Sequence, residues 1–236
     1  MITEILEKWC GENNIDITDS QKAAFEKYAE LLISWNEKMN LTAITEKSEI
    51  AVKHFIDSIS VIKACNIKQN ARIIDIGTGA GFPGIPLKIM RPDIELYLLD
   101  SLNKRLIFLD EVCRTLDIKV GLIHARAEEY SQKPEYRETF DISISRAVAN
   151  LPSLCEYCLP YVKKGGSFIS MKGPDGENEL AQAENAIKLL GGGKTKTSRL
   201  ILPDESTRTI IEIKKLSPTP KKYPRRSVKI SKEPLI

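Results

Sequence analysis

The chain has 236 residues, a net charge of only +3 and ordinary apolar and charged fractions, enough for one large α/β domain or one domain with a small extension. So small a charge excludes arguing a polyanion partner from the total, and no apolar run is long enough to span a membrane. Met1 to Glu12 lacks the basic start of a secretory leader, so a cytoplasmic location is expected. Five scattered cysteines fit reduced thiols better than a disulfide framework.

Ile2, Ile5, Leu6 and Trp9 recur at helical spacing before Gly11. Thr18 with Gln21 is a capping-box signature, and Phe25, Tyr28, Leu32, Trp35 and Met39 then form one apolar stripe. That stripe reads as a core face, not a stacking platform. Asn40-Leu41-Thr42-Ala43-Ile44 breaks the pattern. A short helix from about Ser48 carries His54 and Asp57 on one face, and another runs to Cys65. Residues 1–65 are therefore expected to be a helical extension, residues 66–214 the main domain and residues 215–236 a basic tail.

Arg72 to Ile76 is a short β-branched run that reads as a buried strand. It breaks into glycines, and Ile85 to Met90 then reads as helical. A strand, a glycine turn and a helix start make a nucleotide-type cradle of backbone N–H groups. Two registers fit. Gly77-x-Gly79-x-Gly81 after Asp75 is the turn of class I S-adenosylmethionine-dependent methyltransferases, whereas Gly79-x-Gly81-x-x-Gly84 matches the dinucleotide fingerprint. Asp100 ends the next strand about twenty residues on, where a carboxylate accepts from ribose hydroxyls, and both cofactors have a ribose.

Strands and helices then alternate: a helix with Leu106 to Leu116, a strand near Val120 to His124, a strand from Phe140 to Arg146 and a helix bearing Leu154 to Val162 stopped by Gly165-Gly166. Ser167 to Gly173 reads as a fifth strand, and Glu177 to Leu190 as a helix stopped by Gly191-Gly192-Gly193. Arg199 to Leu202 and Thr209 to Ile213 flank a hairpin signal at Pro203-Asp204-Glu205. The result is an α/β, Rossmann-like, mostly parallel sheet with an antiparallel edge. That edge favours the methyltransferase over a nicotinamide-dependent oxidoreductase. Lys214, Lys215, Lys221, Lys222, Arg225, Arg226, Lys229 and Lys232 fall in a stretch without Asp or Glu, an extended basic tail suited to phosphates.

Asn40-Leu41-Thr42, His54-Phe55-Ile56-Asp57-Ser58, the glycine turn with Phe82-Pro83-Gly84-Ile85-Pro86, Leu99-Asp100-Ser101, Lys104-Arg105, Ile144-Ser145-Arg146-Ala147 and Lys172-Gly173 follow in order. From about residue 30 onward the chain resembles the bacterial small-subunit ribosomal RNA guanine-N7 methyltransferases, the RsmG (GidB) family. The resemblance implies S-adenosylmethionine as donor and small-subunit ribosomal RNA, free or in a subparticle, as acceptor. It places Gly77, Gly79, Phe82, Asp100, Ser101, Ala127, Glu128 and Arg146 at the cofactor, with Arg146 also the catalytic candidate. Lys172, Lys221, Lys222, Arg225, Arg226 and Lys232 are the RNA-binding candidates. The family's Gly-x-Pro turn near the C-terminus is replaced by Val228 and Ile230.

Guanine N7 has an in-plane lone pair and attacks a sulfonium methyl in line without losing a proton, so no general base is required and positioning with electrostatics must carry the rate. The sequence has no nucleophile elbow, paired-carboxylate motif or metal-ligand cluster, and Cys155-x-x-Cys158 lacks a second pair for a metal. His54 is open between a pocket role and a structural hydrogen bond, while His124 reads as structural. A non-catalytic RNA-binding module of the same fold is the remaining alternative.

Overall fold

The computed structural model describes residues 1–236. Two helices packed on each other come first, α1 (Ile2–Glu12) and α2 (Asp19–Met39). The Thr18 capping box is present, with Thr18 Oγ1 accepting from Gln21 N and Gln21 Oε1 accepting from Thr18 N. Asn40 ends α2 in the left-handed region at φ +47°. A single turn, α3 (Lys47–Glu49), then opens into a seven-residue π-helix, Ile50–Ile56, that continues as α4 (Asp57–Ala64). The expected plain helix is thus widened where His54 lies, and π segments of this kind collect at functional sites.

The sheet has seven strands in the order β3-β2-β1-β4-β5-β7-β6. Its central strands are β1 (Arg72–Ile76), β2 (Glu95–Asp100), β3 (Gly121–His124), β4 (Phe140–Arg146) and β5 (Val162–Lys172), all parallel. The hairpin of β6 (Gly192–Ile201) and β7 (Thr207–Lys215) closes the sheet, with β7 antiparallel to β5. The strand order reverses between β1 and β4, so the carboxyl ends of these two strands frame the crevice where open α/β sheets bind ligands.

Helices α5 (Gly84–Met90) and α6 (Asn103–Thr115) join α1, α2 and α4 on one face. The other face carries α7 (Ala127–Tyr130), α8 (Leu151–Cys158), α9 (Gly176–Gln182), α10 (Glu184–Leu189) and α11 (Ser227–Lys232). Strand β1 alternates between them. Ile73 joins the core of the first face, which also holds Phe25, Tyr28 and Leu32, while Ile74 and Ile76 join the second. The stripe on α2 is therefore a core face, as its spacing predicts.

Three boundaries differ from the sequence reading. Gly165 and Gly166 lie inside β5 instead of stopping a helix, because the strand starts at Val162 and pairs Phe140 with Val162 before a bulge. Gly192 opens β6 instead of only ending α10. The basic stretch is not an extended tail. Lys214 and Lys215 belong to β7, and the chain after them is docked, with Tyr223 and Ile230 buried and Val228 and Ile230 in α11 where the family's turn would be. Lys215 Nζ is buried, donates to Leu159 O at 2.8 Å and to Thr219 Oγ1, and pairs with Glu138 at 3.1 Å.

The N-terminal helices reach the glycine turn through one atom. Tyr28 Oη, fully buried, donates to Ala80 O at 2.5 Å. Tyr28→Phe keeps the ring packing against Phe55 and Phe82 but leaves that carbonyl unpaired. Urea unfolding of the variant should show a loss of about 1–3 kcal/mol, the cost of an unsatisfied buried acceptor; an unchanged midpoint would mean the bond contributes nothing net.

Candidate cofactor and acceptor cleft

The glycine turn is built by what its backbone needs. Gly77, Gly79 and Gly81 have φ of +68°, +61° and +97°, conformations that L side chains rarely adopt. Gly77 N and Thr78 N both donate to Leu99 O at the end of β2, at 2.9 and 3.1 Å. Asp75 Oδ2 accepts from Thr78 Oγ1 at 2.7 Å and from Gly84 N at 2.9 Å. Asp100 Oδ2 accepts from Gly79 N at 2.9 Å, while its Oδ1 accepts from Leu102 N at 2.9 Å. Arg105 Nη1 pairs with Asp100 Oδ2 at 3.1 Å. Both carboxylates are thus buried under or beside the turn, and burial pushes the Asp75 carboxyl up to about 7.

Around this turn lies a cleft with two lobes that share Gly77, Ser101 and Val148. One lobe, about 430 Å³, is lined by Gly79, Phe82, Asp100, Arg105, His54 and Arg146, among others. The other, about 490 Å³, takes in Ala127, Glu128, Asn150, Ser153 and Tyr157. A Cβ on Gly79 would meet nothing within 4 Å, so that position opens directly onto the cleft, whereas one on Gly77 would meet Val148 Cγ2 at 2.7 Å. The cleft therefore brings together all eight residues expected at the cofactor.

Arg146 ends β4 and turns back toward the π-helix. Its Nη1 donates to Asp57 Oδ2 at 2.9 Å and to Lys53 O at 3.1 Å, and Nη2 faces His54 Nδ1 at 3.3 Å. An arginine only donates, so Nδ1 is the acceptor and His54 Nε2–H donates to Thr42 Oγ1 at 2.9 Å. Thr42 Oγ1 accepts in turn from Ile44 N at 3.0 Å. The His54 ring stacks on Phe82 with centroids 4.4 Å apart, and the Arg146 guanidinium sits 5.0 Å over the same ring. Asp57 Oδ1 lies 3.3 Å from Arg208 Nε, an ion pair without hydrogen-bond geometry. The next residue after Arg146, Ala147, has φ +55°, a strained backbone for a residue with a Cβ, at the point where the chain leaves the sheet.

The RNA-binding candidates divide. Lys221, Lys222, Arg226 and Lys232 are exposed. Lys172 is buried, with Nζ on Ala149 O at 2.5 Å and Glu179 Oε2 at 2.8 Å. Arg225 is held by Glu156. Both are tied into the body of the protein, Lys172 at the end of β5 and Arg225 in the stretch that the sequence reading expects to be a free tail. Sequence reasoning also missed Val148 as a cleft residue and Arg208 in the adjoining pocket beside Lys53, Asp57 and Arg146. Arg208 had no signal beyond its place after the hairpin turn. Cys155 and Cys158 are both buried free thiols, and no group of three or more His, Cys, Asp or Glu side chains is placed to hold a metal ion.

Residues 21–207 match the family model described as rRNA small subunit methyltransferase G. The chain belongs to that family. The ribosomal RNA small subunit methyltransferase G of Alkaliphilus oremlandii is 50% identical over 236 residues, 99% of each chain, and that of Lachnoclostridium phytofermentans is 52% identical over 224 residues, 94% of this chain and 93% of that one. Among solved structures, an SAM-dependent O-methyltransferase from Thermotoga maritima shares the fold at TM-score 0.51 and 14% identity, covering 80% of this chain and 73% of that one. TYW2 of M. jannaschii, solved with AdoMet, does so at TM-score 0.52 and 14% identity, covering 68% and 77%. Family membership sets aside the nicotinamide oxidoreductase and the non-catalytic module.

In this RsmG-family member the fit to a nucleoside cofactor rests on the open face of Gly79, the carboxylates of Asp100 and Glu128 at either lobe, and the absence of a Cβ at Gly77 where Val148 packs. His54 offers a test of the acceptor side. Burial first, and then the neighbouring Arg146 charge, lower its imidazolium to about 3 from an ordinary value of 6.5. The folded protein therefore refuses a proton that the unfolded chain takes up below pH 6.5. Stability due to neutral His54 is complete above 6.5 and is lost as pH falls from there toward 3, by up to about 1.4 kcal/mol per pH unit. Urea midpoints between pH 7 and 4.5 should fall less steeply for His54→Gln than for the wild type; parallel curves would contradict the assignment.

Proposed function

We propose that this protein transfers the methyl group of S-adenosylmethionine to N7 of a guanine in small-subunit ribosomal RNA, presented either as free RNA or within a ribosomal subparticle, in the cytoplasm. The observation that carries the reading is the cleft at the β1/β4 switch point, where the glycine turn and Arg146 meet over one opening. When bound, the cofactor supplies an electrophilic sulfonium methyl group. The remaining work falls to the chain. Gly77 and Gly79 let the backbone come close to the cofactor, Asp100 takes ribose hydroxyls, and Ser101, Ala127 and Glu128 receive the adenosine end. Arg105, whose side chain is 36% exposed, holds Asp100 until a ribose takes its place.

Arg146 acts by charge and position. Its guanidinium is fixed by Asp57 and Lys53 O and stacked over Phe82, a preorganised positive group beside the place where charge moves from sulfonium to purine. His54 has both ring nitrogens engaged and is held neutral, which supports a mechanism without a general base. Lys53 and Arg208 bring ion-paired cations to the pocket beside Arg146, and the exposed Lys221, Lys222, Arg226 and Lys232 offer phosphate contacts.

Arg146→Ala should abolish methyl transfer to ribosomal RNA even at saturating RNA and low salt, because the group that aligns donor and guanine is gone. Neutralising Lys221, Lys222 and Arg226 together should instead raise the RNA requirement and flatten the salt slope of RNA binding by roughly 0.7–0.9 for each phosphate no longer neutralised. Tritiated-methyl transfer against RNA concentration at two salt levels decides. Rescue of Arg146→Ala by excess RNA would reverse the two roles, and label on any atom but guanine N7 would overturn the acceptor.

Asp100→Asn keeps the shape but weakens charge-assisted bonds to ribose and to Gly79 N, so calorimetric affinity for S-adenosylmethionine should fall by about one to two decades. Wild-type affinity in this variant would leave Asp100 with a purely structural role at Gly79, Leu102 and Arg105.

A further inference from the structure

The segment after β7 is fastened at one dominant point. Arg225 Nε donates to Glu156 Oε1 at 3.0 Å, Nη2 donates to Oε2 at 2.8 Å, and the Arg225 backbone N donates to Oε1 at 2.7 Å. Glu156, on α8, is fully buried, and the Arg225 side chain is 16% exposed. Arg137 adds bonds to Thr219 O at 2.8 Å and Tyr223 O at 3.1 Å, and Gln132 Nε2 donates to Pro224 O at 3.2 Å. A buried ion pair adds little net stability over apolar packing of the same volume, so the question is what position it fixes.

It fixes α11. Two residues beyond Arg225 the chain enters this helix, and Ser227 and Ser231, at i and i+4 on one face, both line the larger lobe of the cleft together with Glu128, Asn150, Ser153 and Tyr157. Two further contacts hold the helix against that lobe, Arg126 Nη1 to Ser227 Oγ at 3.4 Å and Ser153 Oγ to Ile230 O at 3.5 Å. Hydroxyls both donate and accept, which suits the mixed edge of a purine or a ribose.

We propose that the C-terminal segment is part of the cofactor site: Ser227 and Ser231 form the wall of the lobe that takes the adenosine end of S-adenosylmethionine, and the Arg225–Glu156 pair is the positioning contact that holds them there. Arg225 is then a positioning residue for cofactor binding, not a phosphate contact, although it lies in the middle of the basic stretch. This rests on the reading that the cleft binds S-adenosylmethionine.

The test uses the full chain in two variants. Arg225→Met combined with Glu156→Met removes the pair without stranding a buried charge, and Ser231→Phe puts a ring into the lobe from an exposed position. Calorimetry is run with S-adenosylmethionine and with 5′-methylthioadenosine, which keeps the adenosine end and lacks the amino-acid end. Both variants should lose about tenfold or more for both ligands, the worth of about one hydrogen bond to a charged or well-placed group, while the RNA KM at saturating S-adenosylmethionine stays within about twofold. Wild-type affinity for both ligands in both variants overturns the proposal. So does a loss confined to S-adenosylmethionine with 5′-methylthioadenosine unaffected, or a raised RNA KM with unchanged cofactor affinity. If the paired variant does not fold, Ser231→Phe decides alone. A wild-type protein that fails to bind S-adenosylmethionine at all overturns the underlying function as well, and is told apart because it fails before any substitution is made.

Discussion

The structure depends on how a backbone that is neither helix nor strand is satisfied between β1 and α5. Seven residues, Gly77 to Pro83, and the first N–H of α5 carry donors and acceptors that no regular ladder covers, in a place where burial forbids leaving them unpaired. Three side chains from three distant parts of the chain meet the need: Asp75 at Gly84 N, Asp100 at Gly79 N and Tyr28 at Ala80 O. Each comes from a different element, so the turn is also where β1, β2 and the N-terminal helices are locked in register with one another. A Cβ at Gly81 would meet Tyr28 Oη at 2.5 Å and Leu109 Cδ2 at 2.8 Å, which shows how closely α2 and α6 are drawn in around the turn. The cleft-facing surface of Gly79 is open, while the other side of the turn is fully occupied.

Much of the fold was legible because the sheet is buried on both faces. Strands such as Ile73-Ile74-Asp75-Ile76 and Phe140 to Arg146 read as apolar runs, and the glycine turn marks where the first of them stops. What misled was glycine used for a second purpose. Gly165, Gly166 and Gly192 look like helix stops, yet they sit within strands, at a bulged pairing and at an edge start, where Gly166 and Gly192 meet neighbours too closely for a Cβ. A single sequence carries no mark that separates these uses.

The site was legible where it is local and illegible where it is made by contact. Gly77, Gly79 and Asp100 announce themselves by spacing, and Arg146 by ending a buried strand with a charge. The partners of Arg146 do not. Asp57 lies 89 residues upstream in sequence and Arg208 comes from a hairpin on the far side of β5, so only the closed sheet brings them within ion-pair distance. The widening of the helix to a π form at Ile50–Ile56, which presents both Lys53 O and His54 to the guanidinium, has no signature in the residue types. The basic stretch misled for the opposite reason. Charge count reads lysine and arginine alike, but Lys215 and Arg225 are consumed by Glu138 and Glu156 inside the protein.

Charge balance then distinguishes the two ends of the cleft. At the His54 end, Arg146 and Arg208 share one carboxylate, Asp57, while His54 is kept neutral by burial and by the arginine beside it. Lys53 stands nearby, paired with the half-exposed Glu49, and Asp204 lies close enough to interact with both Lys53 and Arg208. Three cations here meet three carboxylates, so this end is a cluster of paired charges and not a bare positive surface. At the other end, the lobe holds a buried carboxylate, Glu128, and an exposed arginine, Arg126, and is otherwise lined by hydroxyl, amide and apolar groups. The first end thus offers ion pairs that an anion can exchange, and the second offers mostly hydrogen-bonding groups. Two such ends, with the glycine turn and Arg146 between them, fit the proposal that a nucleoside occupies one side and a nucleic-acid strand approaches the other.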